Sequence, residues 1–183
     1  GMSALSILLD GLCQEDTSLA GIIFTNAAAQ EIMLAADAGD LLKKKTGKAE
    51  TVEKFLLAFP VFNNPGQDNH VVRAEKQNGQ YRLSGDIEYV VLGGLTGHAV
   101  IPAVVTGQKK YSFFLVALNQ RSLSKSQPVH SMGLHACPAI DISLQASKGD
   151  LIGREEEGDV YFEAMADKLS VAAAAMSTGI MKG

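Results

Sequence analysis

The chain has no tryptophan and only two cysteines, Cys13 and Cys137. Two thiols cannot build the disulfide framework of a small secreted domain, so nothing points to an oxidising compartment. Cationic excess is also missing: 16 Lys and Arg stand against 20 Asp and Glu, a net charge of −4. That balance excludes a general nucleic-acid binder, whose affinity comes from neutralising phosphates. The longest basic run, Lys43-Lys44-Lys45, suits the C-terminal end of a helix, where cations are favoured. No apolar stretch approaches the ~20 residues of a membrane span, and no charged-then-apolar leader precedes a cleavage site. The expectation is a cytoplasmic protein without a membrane span, with Gly1 ahead of Met2 left by cloning.

Catalytic signatures are equally scarce. Gly93 to Gly97, "GGLTG", follow a strand pattern but open no helix, which argues against a phosphate loop. No Gly-x-Ser-x-Gly elbow supports serine chemistry. His130, His135 and Cys137 fall close together, yet the second half of a zinc set is absent, so no metal site is expected. His70 and His98 are isolated beside turns. Glu155-Glu156-Glu157 precedes an apolar helical pattern and reads as solvated charge at its positive end.

What the chain does have is 183 residues, 46% of them apolar, enough for one large domain or two small ones. Residues 3–57 read as helical. Leu5, Leu8, Leu9 and Leu12 recur at helical spacing, and Asp16, Thr17 or Ser18 can cap a second helix carrying Leu19, Ile22, Ile23, Ala27, Ile32 and Leu34. A third helix is expected from Glu50 to Leu57, ending before Pro60. Residues 58–147 have strand character. "YRLSG" from Tyr81, "HAVIPAVVTG" from His98, "YSFFLVAL" from Tyr111 and "AIDISLQ" from Ala139 are β-rich and punctuated by turns. Ser84-Gly85 reads as a hairpin turn, and the absence of helical spacing between strands predicts an antiparallel barrel or sandwich. Residues 148–183 turn helical again, with Val160, Phe162, Met165, Leu169, Val171 and Met176 around Ala172 to Ala175. A helix this apolar needs a neighbour: the first helical block, another copy, or a part of the protein beyond this chain. The simplest association is a homodimer burying Val171, Ala175 and Met176.

The order of these α+β blocks, helices then a small β-domain then an alanine-rich helix, resembles the acyl-CoA dehydrogenase family. "QEDTSLA" (Gln14 to Ala20) looks like its Ala-Asp-x-Ser-x-Ala stretch. "FNNPG" (Phe62 to Gly66) is similar to the Leu-Thr-Glu-Pro-Gly that opens its β-domain. "YRLSGDIEYVVLGG" (Tyr81 to Gly94) resembles Tyr-x-Leu-Asn-Gly-x-Lys-x-Trp-Ile-Thr-Asn-Gly. "MGLHACPAIDISL" (Met132 to Leu144) and "GDLIGREEEGDVYFEAM" (Gly149 to Met165) resemble two further motifs in the right order.

The resemblance implies FAD as cofactor, acyl-CoA as substrate and α,β-dehydrogenation as the reaction, with homo-oligomeric assembly. In the family the Tyr81–Gly94 segment would be the wall behind the flavin ring. Tyr89 matches its Trp and offers an aromatic face. Val91 matches its Thr but has no donor for the flavin edge. Asn63 falls near the Thr of the first motif, where an amide could partly substitute, while "QDNH" (Gln67 to His70) replaces the Gly-Ser that follows. In most members the carboxylate base lies in the C-terminal helical domain. A subclass carries a Glu just before an Arg in the first helix of that domain, and Asp167-Lys168 matches that pair. Asp167 is thus a candidate base one methylene short. The other readings are an exposed Asp-Lys pair, and a non-catalytic relative that binds acyl-CoA or a protein as a scaffold.

Overall fold

The computed structural model describes residues 2–46, 56–61, 65, 72–129 and 137–183. Among the described residues three helices come first: α1 (Met2–Glu15), α2 (Thr17–Ala35) and α3 (Gly39–Thr46). The cap of α2 is Asp16, whose carboxylate accepts from the Ser18 and Leu19 amides and so satisfies donors the first turn would leave open. At 19 residues α2 is, by length and composition, apolar enough to cross a membrane, contrary to the expectation that no stretch comes close. In this structure one face of it is buried instead, through Ala28, Ala29, Ile32 and Met33. Lys43, Lys44 and Lys45 do occupy the last turn of α3.

Seven strands follow among the described residues: β1 (Leu57–Ala58), β2 (Arg73–Gln77), β3 (Gln80–Val91), β4 (His98–Val105), β5 (Tyr111–Ala117), β6 (Leu123–Lys125) and β7 (Ala139–Ile152). They form one sheet ordered β1-β4-β2-β3-β7-β5, which β4–β5 pairing closes into a barrel, with β6 added on β7. The sheet is mixed, not purely antiparallel: β4 runs parallel to both β1 and β2. The cause is the β2–β3 hairpin. β3 carries the chain back past the start of β2, and β4 then comes forward again, so that its last residues, Val104 and Val105, meet Arg73 and Ala74 running the same way. The expected helix over Glu50–Leu57 is corrected at its end, where Leu57 is a fully buried strand residue whose amide donates to Asn26 Oδ1 at 3.0 Å. Residues 50–55 lie outside the described residues.

The apolar runs of β4 and β5 reflect burial on both faces. Ala99, Ile101, Phe114 and Val116 fill the barrel interior. The alternating Val100, Val104, Phe113 and Leu115 pack outward into a second core beneath the helices. Pro102 is tolerated because β1 and β2 pair only with the ends of β4. The position's N–H would point the same way as those of Val104 and Thr106, into the interval between them.

The last helix, α4 (Gly158–Lys182), finds its neighbours within the chain. Tyr161, Met165, Leu169 and Ala172 join the second core with Leu9 and Cys13 of α1 and Ile32 and Met33 of α2. The approach to α1 is so close that a Cβ at Gly179 would lie 2.3 Å from the Asp10 carbonyl oxygen. Met176 and Ala175 are half-buried, and Val171 keeps 62% of its surface exposed.

Candidate functional site

The segment Tyr81–Gly94 is one long strand and a tight turn, not a hairpin. The hairpin turn lies earlier, at Asn78-Gly79, where both residues take the positive φ (51° and 78°) of a two-residue loop. Ser84-Gly85 instead lies opposite a bulge in β7: Leu83 pairs with Ser147 and Gly85 with Leu144, so Gln145 and Ala146 together face Ser84, whose Oγ accepts the Ala146 amide at 3.0 Å.

A second bulge shapes the end of β3. Ile87 pairs with Ile142 and Val90 with Ile140, so Glu88 and Tyr89 together face Asp141. Tyr89 adopts φ 54° and Leu92 φ 65°, conformations that cost an L residue about 1–2 kcal/mol. The Tyr89 amide donates to Asp141 Oδ1 at 2.9 Å, and the Leu92 amide donates to the Pro138 carbonyl at 2.8 Å. Lys125 on β6 reaches across to the Gly93 carbonyl at 2.9 Å, and burial holds its pKa below the ordinary lysine value.

Tyr89 is half-buried against the barrel core. Val91 is only 1% exposed, exchanging backbone hydrogen bonds with Phe59 at 3.1 and 3.2 Å. Immediately before Tyr89 lies a groove of about 430 Å³. It is lined by Asp86, Ile87 and Glu88 of β3, Ser124 and Lys125 of β6, Ser126, and Asp141 to Ser143 of β7. Asn63, His70, His130 and His135 lie outside the described residues.

Asp167 belongs to a different part of the molecule. It is exposed on α4, and the adjacent Lys168 pairs with Glu31 of α2 at 2.7 Å. Tyr89 and Val91 are thus brought together with the barrel core, whereas Asp167 sits on the helical layer. Cys137 is buried, its thiol pushed up to about 11 by desolvation, which leaves it inert as a nucleophile at neutral pH.

The sequence reading missed Asp141 and Lys125. In "AIDISLQ" the aspartate looks like one polar step of an ordinary alternation. Its place opposite a bulge exists only once β3 and β7 are paired. Glu155 to Glu157 were likewise misread as solvated charge, since each accepts a specific hydrogen bond. Glu155 takes Tyr81 Oη, Gln108 Nε2 and Lys76 Nζ. Glu156 accepts the Lys109 and Lys110 amides at 3.1 and 3.3 Å, and Glu157 accepts Tyr161 Oη at 2.5 Å. His98, isolated beside a turn in the sequence, is half-buried near Lys45 and Asp150, with desolvation the main cause of its lowered pKa.

An α-helical layer, a closed mixed barrel bulged at the end of its third strand, and a helix returning to the first layer make an acyl-CoA dehydrogenase-like fold. Solved structures share it over nearly the whole chain. An acyl-CoA dehydrogenase from Geobacillus kaustophilus superposes with a TM-score of 0.77 at 18% identity, covering 93% of this chain and 49% of its own. Butyryl-CoA dehydrogenase from Megasphaera elsdenii gives 0.69 at 15% identity, covering 95% and 47%. PigA in complex with FAD gives 0.82 at 17% identity, covering 99% and 50%. The chain therefore spans about half the length of these structural relatives. No protein-family description matches it, and no curated protein matches it by sequence.

Proposed function

We propose that this chain is the flavin-facing part of an acyl-CoA dehydrogenase-like flavoprotein, with Tyr89 as the aromatic face against an FAD ring and acyl-CoA as the substrate class. The observation that carries this is Tyr89, half-buried at the end of β3 in a left-handed bulge that the strand itself does not require. The residues fit one face of a flat ring. They do not supply a side-chain donor to its edge from Val91, which leaves Asn63 as the proposed polar contact. When bound, the flavin supplies the two-electron acceptor for α,β-dehydrogenation. Within this chain Asp167 is the one proposed base.

The division into a helical segment (3–57), a middle β-domain (58–147) and the start of a helical domain (148–183) belongs to the same proposal. So does homo-oligomeric assembly, supported by Val171, Ile180 and Met181, exposed by 62%, 52% and 80% on α4.

A second reading, a non-catalytic scaffold for acyl-CoA or a protein, is favoured by two observations. Val91 is buried and without a polar atom in its side chain, and Lys168 is engaged by Glu31 and not by Asp167. Each missing hydrogen bond weakens binding by on the order of 1 kcal/mol, and 1.4 kcal/mol is tenfold. The expected preparation is therefore colourless or faintly yellow. An FAD titration followed by flavin fluorescence tests the cofactor, and Val91→Thr should tighten it about tenfold. Stoichiometric FAD retained by the parent chain through gel filtration would contradict the weak-site reading, and the same run reads the oligomeric state. Turnover of acyl-CoAs with a dye acceptor would eliminate the scaffold.

A further inference from the structure

A tyrosine in left-handed backbone is held there by something other than its own preference. Such residues persist only where their surroundings over-determine them. At the end of β3 two side chains from other strands do this. Asp141 stands alone on β7 against two β3 residues and takes the Tyr89 amide at 2.9 Å, an N–H that the bulge has removed from the ladder. Asp141 is itself fixed: its amide donates to Ser126 Oγ at 2.9 Å and its carbonyl accepts the Ser126 amide at 3.0 Å. Four residues beyond Tyr89, Lys125 ties the Gly93 carbonyl at 2.9 Å. The short strand β6, which adds nothing to closing the barrel, carries Lys125 and leads into Ser126.

We propose that Asp141 is the positioning residue for the Tyr89 ring, with Lys125 as a second brace, so that β6 and β7 orient the aromatic face presented to a flat ligand. This rests on the flavin reading above. A bare bulge would let residue 89 relax towards negative φ and swing the ring. The carboxylate removes that freedom by accepting a hydrogen bond that only the left-handed conformation aims at it.

The chain has no tryptophan, so Tyr89→Trp introduces a single tryptophan at the position in question, excited selectively at wavelengths that tyrosine does not absorb. In that background Asp141→Ala and Asp141→Glu, the latter displacing the carboxylate by one methylene, should shift emission to longer wavelength and lower its anisotropy. Asp141→Asn, which keeps an acceptor oxygen, should restore both. Hydrogen exchange of the Tyr89 amide, with Tyr89 intact, should accelerate at least tenfold in Asp141→Glu and stay slow in Asp141→Asn. Emission, anisotropy and exchange unchanged in both the Ala and Glu variants would overturn the brace.

The ligand arm is separate: Asp141→Glu should weaken FAD about tenfold in the same titration. A loosened Tyr89 with FAD affinity unchanged would overturn the positioning role. If the parent chain takes no FAD at any concentration, the flavin reading falls, while fluorescence and exchange still decide the brace.

Discussion

Outside the Asn78-Gly79 turn, two stretches of the described residues carry pairs of positive φ, and they solve the problem differently. At the end of β3 these are Tyr89 and Leu92; in the link from β7 to α4 they are Gly153 and Glu156. The link is locked from all sides. Glu155 receives Tyr81, Gln108 and Lys76, while Glu156 accepts two amides and donates its own to the buried Ser112 Oγ at 2.8 Å. Tyr161 Oη accepts the Arg154 amide at 3.1 Å and donates to Glu157. There the crowded positions, Gly153 and Gly158, are glycines. At β3 the left-handed position is a large aromatic braced by the Asp141 carboxylate and, four residues on, by Lys125. The link is built to fix the angle between barrel and helix. The bulge accepts backbone strain so that a ring stands where a glycine would be easier.

The comparison breaks most severely at Gly153. A Cβ there would lie 2.5 Å from Tyr161 Oη and 2.8 Å from Ala36 Cβ, on a backbone at φ 69°. Gly153→Ala should cost about 2–4 kcal/mol, read as a lowered urea midpoint at unchanged slope.

A smaller loss is expected from Glu155→Ala. It strands the Tyr81 hydroxyl and the Gln108 amide, for about 1–2 kcal/mol. It also changes the pH response. The Tyr81 hydroxyl first, then Gln108 and Lys76, hold the Glu155 carboxyl below its ordinary value. A depressed carboxylate pKa contributes stability that is present above the unfolded value of 4.5 and is lost as pH falls through the folded value beneath it. Urea titrations at stepped pH should show the parent losing more stability than the variant on acidification below pH 4.5. Parallel curves would mean that Glu155 is solvated charge after all.

The smallest effect on stability belongs to Tyr89→Gly. Lost packing is offset by about 1 kcal/mol of relieved left-handed strain, so thermal unfolding should move by the equivalent of about 1 kcal/mol or less. FAD affinity should nevertheless fall. A large destabilisation would place Tyr89 with the link, as a residue of the fold and not of the site.

Much of the architecture was legible because it depends on neighbours in the chain. Capping by Asp16, the lysines closing α3, the cores of β4, β5 and β7 and the helical spacing of α4 are local matters of hydrogen bonding and periodicity. The order of blocks sufficed for an acyl-CoA dehydrogenase-like fold. Even so, β2 and β6, with polar stretches such as "RAEKQ", escaped notice, since they are strands only by virtue of the partners they pair with.

What tertiary structure alone decided is where residues far apart in the chain meet. Whether Ser84-Gly85 is a turn or continuous strand facing a bulge depends on which β7 residues stand opposite. Whether three consecutive glutamates are solvated depends on tyrosine, glutamine and backbone donors brought in from other strands. The alanine-rich helix finds its partner because Gly179 lets it close on α1, a contact between opposite ends of the chain. Asp141 acquires its role in the same way. Composition and period prescribe which face of an element is apolar, but a hydrogen bond between strands has no sequence signature until pairing sets the register.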